Sequence, residues 1–84
     1  MQVCVRLFAR ARDLVGKSEV AVELSPDATV ADLRHRLSVD FPAMKSLLQN
    51  SALAVNNEFA DDSLRLPLNS EIALLPPVSG GIDK

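Results

Sequence analysis

The sequence predicts a single α+β domain of 84 residues, in which strands dominate and helices cover one face of a sheet. Three observations lead to this fold class: several short segments alternate at period two, one longer segment carries a helical apolar stripe, and the chain closes on prolines and glycines. Hydrophobic residues make up 48% of the chain, which excludes an intrinsically disordered protein. We expect residues 1–75 to form the domain and residues 76–84 an extended C-terminal tail.

The first part of the chain predicts two strands joined by a short helix. Residues 2–8 alternate between apolar and polar side chains, which is typical of a half-buried strand. Residues 9–14 contain good helix formers, and the helix is expected to end near Gly16. Residues 19–24 alternate again. The inward residues of the first strand are expected to be Val3, Val5 and Leu7.

The strongest helix signal follows Thr29. The Thr29 hydroxyl can cap a helix, and the acidic Asp32 suits the positive N-terminal end. Pro42 then interrupts the pattern, and a short second helical piece is expected around residues 44–48. The apolar residues at spacings of three and four predict one buried stripe: Val30, Leu33, Leu37 and Phe41.

The last part of the domain predicts two further strands. Residues 52–55 form a short strand that ends at Asn56-Asn57, and asparagine tolerates the left-handed backbone of tight turns. Residues 64–68 alternate leucines with other side chains before a second turn at residues 69–70. Residues 72–75 are apolar on both faces, which predicts a central strand covered on both sides. Because a long crossover separates it from the first strand, we expect these two strands to lie side by side and parallel.

Composition excludes several classes of function. The net charge of −2 with no basic block argues against a nucleic-acid partner, and no apolar run is long enough for a membrane span. Residues 1–8 lack the pattern of a secretory signal peptide. The single cysteine, Cys4, suits a reducing compartment. We therefore expect a cytoplasmic protein with neither nucleic-acid nor membrane partners.

Catalysis by side chains is not expected. His35 falls off the apolar stripe, so it is interpreted as a solvated helix residue. Cys4 is interpreted as a half-buried structural thiol rather than a nucleophile, because it has neither a local basic setting nor a helix end beside it. Asp61 and Asp62 are interpreted as a solvated turn, since no further ligands are spaced to complete a metal site. We predict no metal site and no bound cofactor.

The tail is the unusual feature of this sequence. A frayed end is the ordinary interpretation of such a composition. A functional tail must instead be narrow, extended and able to end in a carboxylate. Pro76 and Pro77 favour a stiff base, and Gly80-Gly81 present only backbone, so the segment could thread a narrow channel. Residues 76–81 could span roughly 20 Å when extended.

Several segments of the sequence, the tail above all, resemble one known family. Residues 71–81, EIALLPPVSGG, resemble the C-terminal signature of the small, sulfur-carrier subunits of molybdopterin synthase. The segments at 5–13, 29–33, 41–42 and 54–56 also resemble their counterparts in that family. The resemblance implies a ubiquitin-like β-grasp fold, with a mixed sheet packed against one main helix.

The resemblance also implies a function in molybdenum cofactor biosynthesis. An adenylating activating enzyme would use ATP on the Gly81 carboxylate, and a thiocarboxylate would then form there. The tail would enter the large subunit of a heterotetrameric synthase, and its sulfur would pass to precursor Z (cyclic pyranopterin monophosphate). The chain would be non-catalytic by itself. The residues expected to bind as the tail are Pro76, Pro77, Val78, Ser79 and Gly80.

One departure from the family keeps other functions open. Gly81 is followed by Ile82-Asp83-Lys84, whereas family members usually end at the second glycine. A protease could remove the three residues, they could be an added extension, or the protein could be an inactive relative. The alternatives are a sulfur carrier for thiamine, cysteine or protein modification, and a β-grasp interaction module without covalent chemistry.

Phe8 is the candidate anchor of a partner interface. It directly follows the inward residues of the first strand and is one of only three aromatic residues. Aromatic side chains commonly carry interface energy. The alternative is that Phe8 belongs to the core, because phenylalanine is often fully buried.

Overall fold

The computed structural model of the protein describes residues 1–75. The boundary predicted at residue 75 and the tail predicted beyond it lie outside the described residues. In chain order the elements are β1 (Gln2–Leu7), α1 (Ala9–Val15), β2 (Glu19–Glu23), α2 (Val30–Asp40), a 3-10 helix (Pro42–Met44), α3 (Lys45–Gln49), β3 (Ala52–Val55), β4 (Glu58–Phe59) and β5 (Ile72–Leu75).

The strands form one mixed sheet in the order β2-β1-β5-β3-β4. β1 and β5 are parallel neighbours, with Val5 opposite Ile72 and Leu7 opposite Leu74. The other three pairings are antiparallel. The predicted α+β class and the predicted parallel pairing of the first and last strands are both confirmed.

The core lies between one face of this sheet and the helices. Alternate residues of the strands point into it, as the period-two pattern predicts. From the helix layer, three of the four residues of the predicted stripe, Val30, Leu33 and Leu37, are fully buried, and Phe41 is partly buried against them. The sheet contributes Val3, Val5, Leu7, Val20, Val22, Leu53, Val55, Ile72 and Leu74.

The opposite face of the sheet stays accessible within residues 1–75. The prediction that β5 is covered on both sides is wrong, because Ala73 and Leu75 are only half-buried. The helices that close the core all use the face formed by the other residues of the strand. Cys4 points to the accessible face and is exposed, so the prediction of a half-buried thiol is also wrong.

The start of α2 is held by its own cap and by a loop. Thr29 Oγ1 accepts from the Asp32 N–H (3.3 Å), and the Asp32 carboxylate accepts from the Thr29 N–H (3.0 Å), which is the predicted cap in reciprocal form. The next two N–H groups, of Val30 and Ala31, donate to carbonyl oxygens of the loop between β4 and β5 at 2.9 Å each. These bonds satisfy donors that a helix leaves without an internal partner.

The loop between β4 and β5 is also held by Arg34, which pairs with Asp62, and by the buried side chain of Leu66. The Arg34 guanidinium donates to the carbonyl oxygens of Leu48 and Ser51 (2.5 and 2.8 Å) and pairs with Asp62 (3.1 Å). Asp62 therefore lies in an ion pair at the surface of a helix, where the sequence predicted only a solvated turn. Of the alternating leucines at 64–68, only Leu66 is buried.

Candidate functional site

One row of residues crosses the accessible face, and its side chains change from charged to apolar along the row. The strand registers place Glu19, Arg6, Ala73, Ala54 and Phe59 side by side, one from each strand from β2 to β4. The row is charged at the β2 end and apolar at the β4 end. The apolar half of the accessible face is the candidate site.

The apolar half contains a shallow depression of about 290 Å³. Phe59 and Phe8 stand on either side of it, with 78% and 40% of their surface exposed. Leu75, the last residue of β5, lies in its lining. We call this depression, with its lining, the apolar socket; it is formed by Phe8, Ala54, Asn57, Phe59, Ala73 and Leu75.

The end of β1 positions Phe8. Leu7 is buried in the core, and the extended backbone of Phe8 (φ −130°, ψ 157°) carries the next side chain to the opposite face. The Arg6 guanidinium lies 5.9 Å from the centre of the Phe8 ring, within the range of a cation–π contact. Phe8 is therefore not a core residue. Its role as the anchor of a partner interface stays a prediction.

The backbone turns in a left-handed conformation directly after Phe8. Ala9 has φ 50° and begins α1, which ends at Gly16 with φ 80°. The Gly16 N–H donates to the carbonyl oxygen of Arg12 at 2.7 Å, which closes the helix. Left-handed backbone is easy for glycine and costly for alanine. The turn that presents Phe8 is therefore strained at Ala9.

The turn between β3 and β4 positions Phe59. Asn56 and Asn57 both have positive φ (52° and 70°), the backbone expected of this pair in a two-residue hairpin. Asn56 also exchanges two hydrogen bonds with Glu71: its side-chain oxygen accepts from the Glu71 N–H at 2.9 Å, and its own N–H donates to the Glu71 carbonyl oxygen at 2.8 Å. The hairpin that carries Phe59 is thereby fixed to the start of β5.

A charged groove of about 470 Å³ borders the apolar socket at Phe8. Its charged residues are Arg6, Arg12, Glu19 and Glu71. Within residues 1–75 none of these four side chains forms an ion pair. The groove therefore offers charges of both signs next to an apolar surface, which is the arrangement of a protein-binding face with a polar rim.

The predicted site residues fall into two groups. Phe8 lies at the apolar socket, and Leu75 brings the chain to the same place just before Pro76. The predicted tail residues, Pro76 to Gly81, lie outside the described residues. The sequence reasoning missed Phe59, although its position after the Asn-Asn turn and its aromatic ring are signals that could have identified it. It also missed Ala54 and Ala73, which carry no chemical signal of their own.

The described part of the chain offers neither a metal site nor a membrane span. Residues 1–75 contain no group of three or more histidine, cysteine, aspartate or glutamate side chains placed to hold a metal ion. No helix among these residues is both long and apolar enough to cross a membrane. His35 is exposed on α2, where the sequence predicts it.

Comparison with known proteins identifies the family. Residues 5–81 match the model of the ThiS family, and this match extends into the Gly80-Gly81 segment. A molybdopterin synthase sulfur carrier subunit from Dictyostelium discoideum is 37% identical over 83 residues, covering 95% of this chain and 96% of the relative. The resemblance found in the sequence is therefore confirmed.

Solved structures agree with this assignment. The crystal structure of SAMP1 from Haloferax volcanii superposes with a TM-score of 0.84 at 31% identity, covering 96% of this chain and 100% of that one. A complex of subunits 1 and 2 of molybdopterin-converting factor from Helicobacter pylori gives a TM-score of 0.67 at 28% identity, covering 96% and 100%. The predicted ubiquitin-like β-grasp fold is confirmed by these likenesses, and the chain belongs to the ThiS family.

Proposed function

We propose that this protein is the sulfur-carrier subunit of a cytoplasmic molybdopterin synthase, and that a thiocarboxylate at Gly81 donates sulfur to precursor Z. One observation supports this most directly: β5 ends at Leu75, inside the accessible apolar face, and the sequence PPVSGG follows at once. A protein that binds this face would lie next to the point where the segment carrying Gly80-Gly81 begins. The names of the relatives support the choice of pathway.

In the proposed reaction this chain supplies the Gly81 carboxylate, and its partner proteins supply the catalytic groups. A free Gly81 carboxylate oxygen attacks the α-phosphorus of ATP and displaces pyrophosphate, which gives an acyl adenylate on the activating enzyme. A persulfide sulfur held by a donor protein then attacks the acyl carbon, and AMP leaves. A thiol cleaves the resulting acyl disulfide and forms a disulfide with the donor's sulfur, which leaves the thiocarboxylate on Gly81. In the large subunit, the tethered sulfur displaces an oxygen substituent of precursor Z at high effective concentration. Water then hydrolyses the acyl–sulfur bond, which leaves the sulfur on the product and returns the Gly81 carboxylate.

The sequence requires one processing step before this chemistry. Gly81 is joined to Ile82 by a peptide bond, so its carbonyl carbon carries no free carboxylate. Hydrolysis of the Gly81–Ile82 bond releases residues 82–84 and produces the acid. We therefore propose that the active form ends at Gly81.

The test compares three forms of the chain in a pyrophosphate-exchange assay with the cognate activating enzyme. The chain ending at Gly81 is expected to support exchange, and the 84-residue chain is not. Gly81→Ala in the short form is expected to slow sulfur transfer, because a Cβ widens and restricts the tail. Equal exchange by the long and short forms, with mass spectrometry showing no cleavage, would contradict the mechanism.

A second candidate is a protein modifier. It is favoured by the likeness to the small archaeal modifier protein 1 of Haloferax volcanii, which is 33% identical over 84 residues. Both functions begin with the same adenylate, but a modifier passes its acyl group to a lysine amine of another protein. Incubation with cell extract, followed by mass spectrometry of lysines joined by an isopeptide bond to the Gly81 carbonyl carbon, distinguishes the two.

A further inference from the structure

A second depression lies on the helix side of the domain, between α2 and α3, with the sheet between it and the apolar socket. Its volume is about 210 Å³. Each helix contributes a residue and the two that follow it three and four positions later, which lie on one side of a helix. We call this depression the helix pocket; its lining includes Ala31, Arg34 and His35 from α2 and Lys45, Leu48 and Gln49 from α3.

Arg34 holds the two sides of the helix pocket together. Its guanidinium donates to the carbonyl oxygens of Leu48 and Ser51 and, through two further N–H groups, to the Asp62 carboxylate. Four of its five N–H donors are therefore used within residues 1–75. Arg34 thus ties the end of α3 to α2, and its charge is balanced by Asp62. The pocket is formed before any ligand binds, which lowers the cost of binding one.

The unbalanced charge of the helix pocket is positive. Among the residues that the structure describes, the lining contains no carboxylate. Lys45 is exposed and forms no ion pair with another residue of the range 1–75. The exposed His35 ring and the Gln49 amide can also donate hydrogen bonds. Since the whole chain has a net charge of −2, this positive lining does not follow from the overall charge.

The rest of the lining is hydrocarbon. It comes from the Ala31 methyl group, the Leu48 side chain and the stem of Lys45. Leu48 is only 1% exposed, so core packing fixes its position. A small inorganic anion would leave this hydrocarbon in contact with water, whereas an acidic residue next to an aliphatic one would cover it.

We infer that the helix pocket binds an acidic segment of a partner protein, in which a carboxylate pairs with Lys45 and a neighbouring aliphatic side chain covers Ala31 and Leu48. Charge complementarity and the hydrocarbon lining together select this occupant. Because the helix pocket and the apolar socket lie on opposite sides of the sheet, such a protein can bind while the accessible face is occupied. The inference does not depend on the proposed function.

The test uses a defined peptide and two matched charge reversals. The probe is acetyl-Leu-Glu-Glu-Leu-amide, titrated into the 84-residue chain labelled with nitrogen-15 at about 0.15 M salt, where distant charges are largely screened. We expect saturable changes in amide chemical shift centred on residues 31–35 and 45–49. Lys45→Glu is expected to weaken binding at least fivefold. Lys17→Glu makes the same charge change at an exposed lysine between α1 and β2, and less than twofold is expected.

A second pair of variants tests the hydrocarbon contact. Ala31→Leu occupies the helix pocket from α2, and we expect it to weaken binding at least threefold. Ala43→Leu adds the same side chain at an exposed position outside the lining, and less than twofold is expected. All four substitutions are at exposed residues, so the fold is expected to be kept.

Four results would overturn the inference. The first is equal affinity of Lys45→Glu and Lys17→Glu for the probe, and the second is equal affinity of the unchanged chain for acetyl-Leu-Gln-Gln-Leu-amide. The third is tighter binding of inorganic phosphate than of the probe at the same residues, because the pocket would then be a site for small anions. The fourth is a stable dimer in analytical ultracentrifugation that Lys45→Glu abolishes, because a second copy would then be the occupant.

Discussion

The two faces of β5 differ although they belong to the same four residues. Ile72 and Leu74 are 1% and 0% exposed, in contact with the helix layer, whereas Ala73 and Leu75 are half-buried on a face that no described helix covers. Both faces are apolar, so hydrophobicity alone does not separate them. One face therefore stabilises the domain, and the other is available to a partner.

This division makes stability and binding separable by mutation. Burying a large aliphatic side chain contributes about 1.5–3 kcal/mol to folding, and that contribution falls when the side chain remains in contact with water. An apolar residue on the accessible face contributes most of its burial energy only when a partner covers it. Substitutions on the two faces are therefore expected to act on different measurements.

The largest expected effect compares neighbouring leucines on opposite faces. Leu74→Ala removes a fully buried side chain and is expected to lower the free energy of unfolding by about 2–5 kcal/mol. Leu75→Ala is expected to cost much less, because its side chain keeps contact with solvent. Urea denaturation of both variants measures the difference. Equal losses would show that the accessible face is part of the stabilising core.

The next effect concerns how the helix layer is held over the covered face. Arg34→Ala removes two hydrogen bonds to carbonyl oxygens and the ion pair with Asp62, and we expect a loss of about 1–3 kcal/mol. Arg36→Ala is the matched control on the same helix. It removes only the surface pair with Asp40 four residues later, for which about 0.3–0.5 kcal/mol is expected. If thermal denaturation shows equal losses of stability for Arg34→Ala and Arg36→Ala, Arg34 does not anchor the helix layer.

A smaller effect concerns the residues with positive φ at the two ends of α1, Ala9 and Gly16. Gly16→Ala introduces a side chain at φ 80° and is expected to cost about 1 kcal/mol, although nothing lies within 4 Å of the new Cβ. Ala9→Gly reverses the change at φ 50° and is expected to leave stability unchanged or raise it by up to about 1 kcal/mol. The pair is compared by chemical denaturation. A clear loss of stability in Ala9→Gly would show that Ala9 is unstrained.

The smallest expected effect on stability comes from the socket walls. Phe59→Ala is expected to change the free energy of unfolding by no more than about 0.5 kcal/mol, because the ring is 78% exposed. Phe8→Ala is expected to cost slightly more, since its ring is less exposed. Both are expected to weaken binding of the large subunit. Unchanged affinity for Phe8→Ala at unchanged stability would remove it as an anchor.

The fold could be predicted well where local chemistry and periodicity agree. Thr29 and Asp32 mark the start of α2, and the stripe through Leu33 and Leu37 marks its buried face, so both were predictable from spacing alone. The parallel pairing of the first and last strands followed from an apolar run and a long crossover. The tail was identified by its composition and by the family resemblance rather than by any feature of the domain.

The accessible face could not be predicted from the same rules. Ala73 and Leu75 are as apolar as the residues that alternate with them, so the sequence indicated cover on both sides. Cys4 was expected to be half-buried, and it is exposed on the same accessible face. β4 has only two residues, too few to show an alternation. The placement of Ala54 beside Ala73 in the apolar socket depends on which residue lies opposite which, and registry between strands is not visible in a single sequence.

The position of β5 has a consequence for how the protein is made. The strand synthesised last is inserted between β1, the strand synthesised first, and β3. Until residues 72–75 have left the ribosome, the emerging chain can form only two separate hairpins, β1 with β2 and β3 with β4, and two-stranded hairpins are marginal in water. The sheet therefore closes only after nearly the whole domain has been translated. Closure then completes the apolar socket, because Ala73 and Leu75 are part of its lining.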